Sequence, residues 1–217
     1  VGARDVEEEA GPVRAELDAF RFSGIAGERV ALAKERDGVS PPYWEFNLWS
    51  PTGQPVEPVR DGETARHRTY ALPSSGAYTV TVQAQDDSSL GLYDLSLQFL
   101  TGRCAATLSC GQLLTSTATA KRRDAVRFEG VAGRFAGLFV PATWASGTGW
   151  SRVVDMFDPG AMPLASIDGD NGDPSYKLPT TGTYTAIVIN RKDGEDPRVG
   201  LTCEGVCASF VHPLAAS

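Results

Sequence analysis

The chain has 217 residues, 41% hydrophobic and 22% charged, enough for one large domain or two small ones. A formal net charge of -7 sets it against polyanions, so no nucleic-acid partner is expected, and without a run of ~18 apolar residues no transmembrane helix is predicted. Its 23 glycines and 14 prolines favour turns and short strands over long helices.

Residues 1–13 carry the acidic run Val6-Glu7-Glu8-Glu9-Ala10, broken by Gly11-Pro12, and read as a solvated tail or a short leading strand. A first unit spans 14–100. Ala19-Phe20-Arg21-Phe22 alternates apolar and polar, Gly24 and Gly27 punctuate a turn, and the alternation resumes from Glu28 to Ala33. Between Tyr43 and Trp49, the residues Trp44, Phe46 and Leu48 share one parity and are expected in a core. Tyr43 and Trp49 share the other, as a surface pair does. Pro51-Thr52-Gly53 makes a turn. His67 stands between Arg66 and Arg68 in an exposed basic patch. Tyr78, Val80 and Val82 line one face of a strand, as do Leu95, Leu97 and Phe99 of another.

Residues 101–111 form a cysteine-bearing connection, and a second unit covers 112–217. The second unit repeats the first. Asp124-Ala125-Val126-Arg127-Phe128-Glu129-Gly130-Val131-Ala132-Gly133 matches residues 18–27 at seven of ten positions, 106 residues on. Tyr176 to Val188 matches Tyr70 to Val82 at seven of thirteen, again at 106. Asp155-Met156-Phe157-Asp158-Pro159 aligns with Asn47-Leu48-Trp49-Ser50-Pro51 at 108. A period near a hundred residues is too long for a solenoid and suits a tandem domain. Short strands between turn signals, with no helical stretch, predict an all-β chain of sandwiches or barrels.

These blocks resemble the bacterial pre-peptidase C-terminal domain. The likeness rests on Asp18 to Phe22 with Gly27, on Asp155-Met156-Phe157-Asp158-Pro159, on Ser75-Gly76-Ala77-Tyr78-Thr79-Val80 with Thr181-Gly182-Thr183-Tyr184-Thr185-Ala186, and on Gly91-Leu92-Tyr93-Asp94-Leu95. It covers most of residues 14–210 in two copies. It implies two tandem jelly-roll-like antiparallel β-sandwich domains of an exported protein: secreted, periplasmic or on the cell surface. Asn47 and Ser50 stand where that family usually has aspartate, and the cysteines lie outside its pattern.

Four cysteines occur as two local pairs, C-x5-C and C-x3-C, and allow three pairings. Neither spacing is a zinc knuckle. The simplest expectation is two disulfides, Cys104–Cys110 and Cys203–Cys207, each pinning a turn.

Oxygen ligands at alternate positions in Asp168-Gly169-Asp170-Asn171-Gly172-Asp173 suit calcium. Asp168, Asp170 and Asp173 are the expected ligands, with Asp155 and Asp158 as additional carboxylates; the alternative is a hydrophilic turn. Trp144 and Trp150 flank a glycine-rich loop. With Tyr43 and Trp49 they are candidate platforms for a protein or polysaccharide, set against simple packing.

Only two histidines are present, His67 and His212, with no G-x-S-x-G elbow and no H-E-x-x-H, so no catalytic residue is assigned. The expected function is a non-catalytic binding or structural module. The alternative is a carbohydrate-active or other hydrolase with paired carboxylates on sandwich loops.

Overall fold

A computed structural model describes residues 17–36, 44–59, 67–84, 93–115, 123–139, 152–168, 175–190 and 198–204. These form strands and turns, with no helix among the described residues. In chain order the strands are β1 (Leu17–Gly24), β2 (Arg29–Arg36), β3 (Trp44–Trp49), β4 (Pro55–Val56), β5 (Arg68–Ala71), β6 (Gly76–Ala84), β7 (Tyr93–Phe99), β8 (Ala106–Thr107), β9 (Leu113–Thr115), β10 (Arg123–Gly130), β11 (Phe135–Phe139), β12 (Arg152–Phe157), β13 (Pro163–Asp168), β14 (Ser175–Lys177), β15 (Gly182–Asn190) and β16 (Arg198–Cys203). The all-β expectation holds.

Two compact units result. The first draws on Val1–Gly27, Arg36–Glu57 and Leu72–Tyr93, the second on Glu28–Glu35, Pro58–Ala71 and Asp94–Ser217. In the first unit β1-β6-β3-β4 make one antiparallel sheet. Side-chain alternation gives it two unlike faces. Phe46, Leu48, Tyr78, Val80 and Val82 are buried on one, while Glu45, Trp49, Thr79 and Gln83 point to the other. The parity read from the sequence therefore places Phe46, Leu48 and Trp49 correctly.

The second unit holds three sheets, β5-β2-β7, β13-β12-β15-β10-β8 and β14-β11-β16-β9. Its larger core lies between the latter two. Val126, Phe128, Val154, Met156, Tyr184 and Val188 meet Leu138, Val199 and Leu201 there. On the opposite face of β12 and β15, Val153, Phe157, Ile187 and Ile189 pack with Ala31 of β2 and with Leu100. The pairing of β8 with β10 is parallel, between Val126 and Ala106 and between Arg127 and Thr107, so part of the 101–111 connection is built into this sheet.

The sequence repeat is also a repeat of hydrogen bonds. Phe22 stands opposite Tyr78 and Gly24 opposite Gly76; Phe128 stands opposite Tyr184 and Gly130 opposite Gly182. The Tyr78 hydroxyl donates to the Ser74 carbonyl at 2.7 Å and accepts the Ser74 N–H at 3.1 Å. Tyr184 does the same with Thr180, at 2.7 and 3.2 Å. Each ring stacks on the phenylalanine opposite, with centroids 5.5 Å apart in one copy and 5.3 Å in the other. The stack needs glycine beside it. A Cβ on Gly130 would lie 2.5 Å from the Tyr184 ring, and one on Gly24 would lie 2.9 Å from that of Tyr78.

The cysteine expectation needs correction. Cys110 bonds to Cys203, 93 residues away, with Cα atoms 5.6 Å apart. Neither Cys104–Cys110 nor Cys203–Cys207 forms. The Gly111 N–H donates to the Leu201 carbonyl, and this brings Cys110 beside the end of β16. Sequence proximity of Cys104 loses to that backbone registration. Cys104 sits in a turn with φ of 64° and is exposed, and Cys207 lies outside the described residues.

Candidate binding face

The outer face of the first unit's sheet is built from β1, β6 and β3. Thr79 stands opposite Arg21 on one side and opposite Trp49 on the other. Two strand spacings separate Arg21 from Trp49, about 9.5 Å. Between them the floor is small: Ala77, Thr79 and Thr81. Ser50, Pro51 and Gly53 of the following turn complete the rim of an open groove of about 530 Å³.

The indole of Trp49 is anchored. Its Nε1–H donates to Thr81 Oγ1 at 2.9 Å, so the ring leans over β6 with its polar atom satisfied and part of its surface open. The turn below is held by its own polar atoms. The Ser50 N–H donates to the Gln54 carbonyl at 2.8 Å, and the Gln54 N–H donates to Ser50 Oγ at 3.1 Å. Gly53 takes φ of +76°, which lets the chain reverse without a side chain over the groove. An aromatic wall, a guanidinium wall and a hydroxyl-bearing floor suit a ligand with an apolar surface and hydrogen-bond acceptors.

The other sequence-predicted residues have different surroundings. Asp158 serves a turn. Its Oδ1 accepts the Met162 N–H at 2.8 Å, and its own N–H donates to the Met162 carbonyl at 2.9 Å. That is the Ser50 turn again, 108 residues later, with a carboxylate in place of the hydroxyl. It explains why serine suffices at position 50. Asp155 is buried on β12. Its Oδ1 accepts the Ser166 hydroxyl at 2.6 Å, and its Oδ2 is 3.6 Å from His67 Nδ1.

His67 is not in an exposed basic patch. Its side chain is 13% exposed, and its ring lies 5.5 Å from that of Phe157. The flanking arginines hid this in the sequence. Because the carboxylate stands between hydroxyl and imidazole, Ser166 is not placed for activation by His67. Asp168 ends β13, its side chain outside the described set, and Asp170 and Asp173 lie outside the described residues, as do Tyr43, Trp144 and Trp150. Among the described residues no three metal-ligating side chains converge, and no helix is long and apolar enough to cross a membrane.

No family model matches the chain, and no curated protein does. Among solved structures, the chain is similar to the CUB1-EGF-CUB2 domain of human MASP-1/3, at 8% identity and a TM-score of 0.29, over 87% of this chain and 93% of that one.

Proposed function

We propose that the chain is a non-catalytic binding module of an exported protein, two copies of one pre-peptidase-C-terminal-like sandwich, and that it takes a protein or polysaccharide partner at the Trp49 face. The groove between Arg21 and Trp49 carries this reading, since it offers an anchored aromatic and an exposed guanidinium across a floor of small residues. Export is supported by the Cys110–Cys203 disulfide, because such bonds persist in oxidising compartments. Calcium coordination by Asp168, Asp170 and Asp173 belongs to the same proposal, and a melting curve in chelator and then in millimolar calcium tests it.

The direct test compares wild type with Trp49→Ala against immobilised polysaccharides and candidate secreted proteins. Wild type is expected to be retained, and Trp49→Ala to lose about tenfold in affinity, as for a central aromatic contact. Equal retention of the two proteins, or substrate turnover abolished by one Asp or Glu substitution, overturns the reading.

A further inference from the structure

The second repeat contains a filled version of the same groove. The counterparts of Arg21, Trp49, Ala77 and Thr81 are Arg127, Phe157, Thr183 and Ile187, each 106 or 108 residues later. There the chain's own segment lies across the face. Leu100 is buried in one cluster with Phe157, Ile187 and Ala31 of β2. Two residues on, the Gly102 carbonyl accepts Arg127 Nη1 at 3.4 Å. Gly102 takes φ of +81°, and a Cβ on it would sit 3.3 Å from Arg127 Cδ and 3.5 Å from Thr183 Cγ2. The occupant is thus a turn, closed by the Gly102 N–H on the Phe99 carbonyl at 3.2 Å. It brings an apolar side chain to the aromatic wall and, two positions later, a glycine to the floor with its carbonyl on the arginine. Ala31 and the His67 ring cover the rest of that wall.

We propose that the open groove of the first repeat receives a turn segment of a partner protein with this same pattern, an apolar residue followed two positions later by a glycine of positive φ. The inference rests on the Trp49 face being a binding site and commits it to a polypeptide. The arginine, the aromatic wall and the glycine-compatible turn are all kept: Gly53 takes φ of +76°, and its counterpart Ala161 takes φ of 58°. The surround differs in a way that suits reversible binding. Val153 and Ile189, paired across the second repeat's sheet, are replaced by Glu45 and Gln83, paired across the first. Both replacements are exposed, so this face is stable in water before a partner arrives.

The experiment uses the intact protein and a fluorescein-labelled heptapeptide of residues 97–103, which carries the Leu100 to Gly102 pattern, read by anisotropy. Saturable binding is expected. Trp49→Ala and Arg21→Ala should each weaken it about tenfold or more. Ala77→Tyr, a substitution at an exposed floor position, should block it if Trp49→Ala misfolds. A peptide with valine in place of glycine should lose binding, because the left-handed conformation and the close approach both exclude a side chain.

Soluble dextran, xylan and pectin form the second arm. Trp49-dependent polysaccharide binding without peptide binding overturns the polypeptide inference and leaves the module reading standing. Peptide binding that neither Trp49→Ala nor Ala77→Tyr alters overturns the inference as well. Failure of both arms at the Trp49 face overturns both readings.

Discussion

In the first repeat the row Arg21, Thr79 and Trp49 borders an open groove, whereas in the second repeat's equivalent row Thr185 and Phe157 are almost fully buried and Arg127 stays exposed. The backbone beneath is the same, with matching registers, matching tyrosine corners and matching turns at Ser50 and Asp158. The inner face of the sheet and its corner therefore define the repeat. The outer face is free to vary, and its side chains decide whether it becomes core or surface.

The largest expected effect belongs to the covalent feature of the second repeat. Opening Cys110–Cys203 by Cys110→Ser releases a loop with a sequence separation of 93 residues. That should cost roughly 4–5 kcal/mol in the chain-entropy model, seen as a lower denaturation midpoint. A change under about 1 kcal/mol would mean that the bond restrains little of the unfolded chain.

Next comes the contrast between equivalent aromatics. Phe157→Ala should destabilise by about 3–5 kcal/mol, because a buried ring leaves a cavity. Trp49→Ala should cost about 1 kcal/mol or less, since its ring is already partly in water. Equal losses in urea titrations would erase the distinction between filled and open face.

The shared corner should respond symmetrically. Gly24→Ala and Gly130→Ala should each cost about 1–3 kcal/mol by forcing apart a packed tyrosine. Smaller still, Tyr78→Phe and Tyr184→Phe should each cost about 1 kcal/mol for the corner hydrogen bonds lost. Thermal melts of the paired variants check both. A corner that matters in one copy and not in the other would break the equivalence of the repeats.

Much of the sheet structure was legible in the sequence, because it rests on local patterns. Alternation separated Phe46 and Leu48 from Trp49, and the two tyrosine blocks carried the repeat. What stayed hidden depends on distant chain segments meeting. Cys110 finds Cys203 through the backbone pairing of Gly111 with Leu201, and no spacing rule reports that. His67 looks solvated beside its arginines yet packs on Phe157. Leu100 reads as the end of the first unit and Thr101-Gly102 as the start of a connection, but in the fold this turn lies with Ala31 and His67 on one groove and so supplies a template for what fits the other. The signal available in advance was the replacement of Phe157, Ile187 and Ile189 by Trp49, Thr81 and Gln83 at equivalent positions.

The most direct test maps the two faces in one experiment. A ¹⁵N-labelled sample is titrated with the heptapeptide of residues 97–103 while amide and indole signals are followed. Shifts are expected at Arg21, Ala77, Thr79, Thr81 and the Trp49 indole, with Arg127, Phe157, Thr185 and Ile187 unmoved because their groove is already occupied. Shifts confined to the second repeat, or spread equally over both, would contradict the assignment of one filled and one open groove.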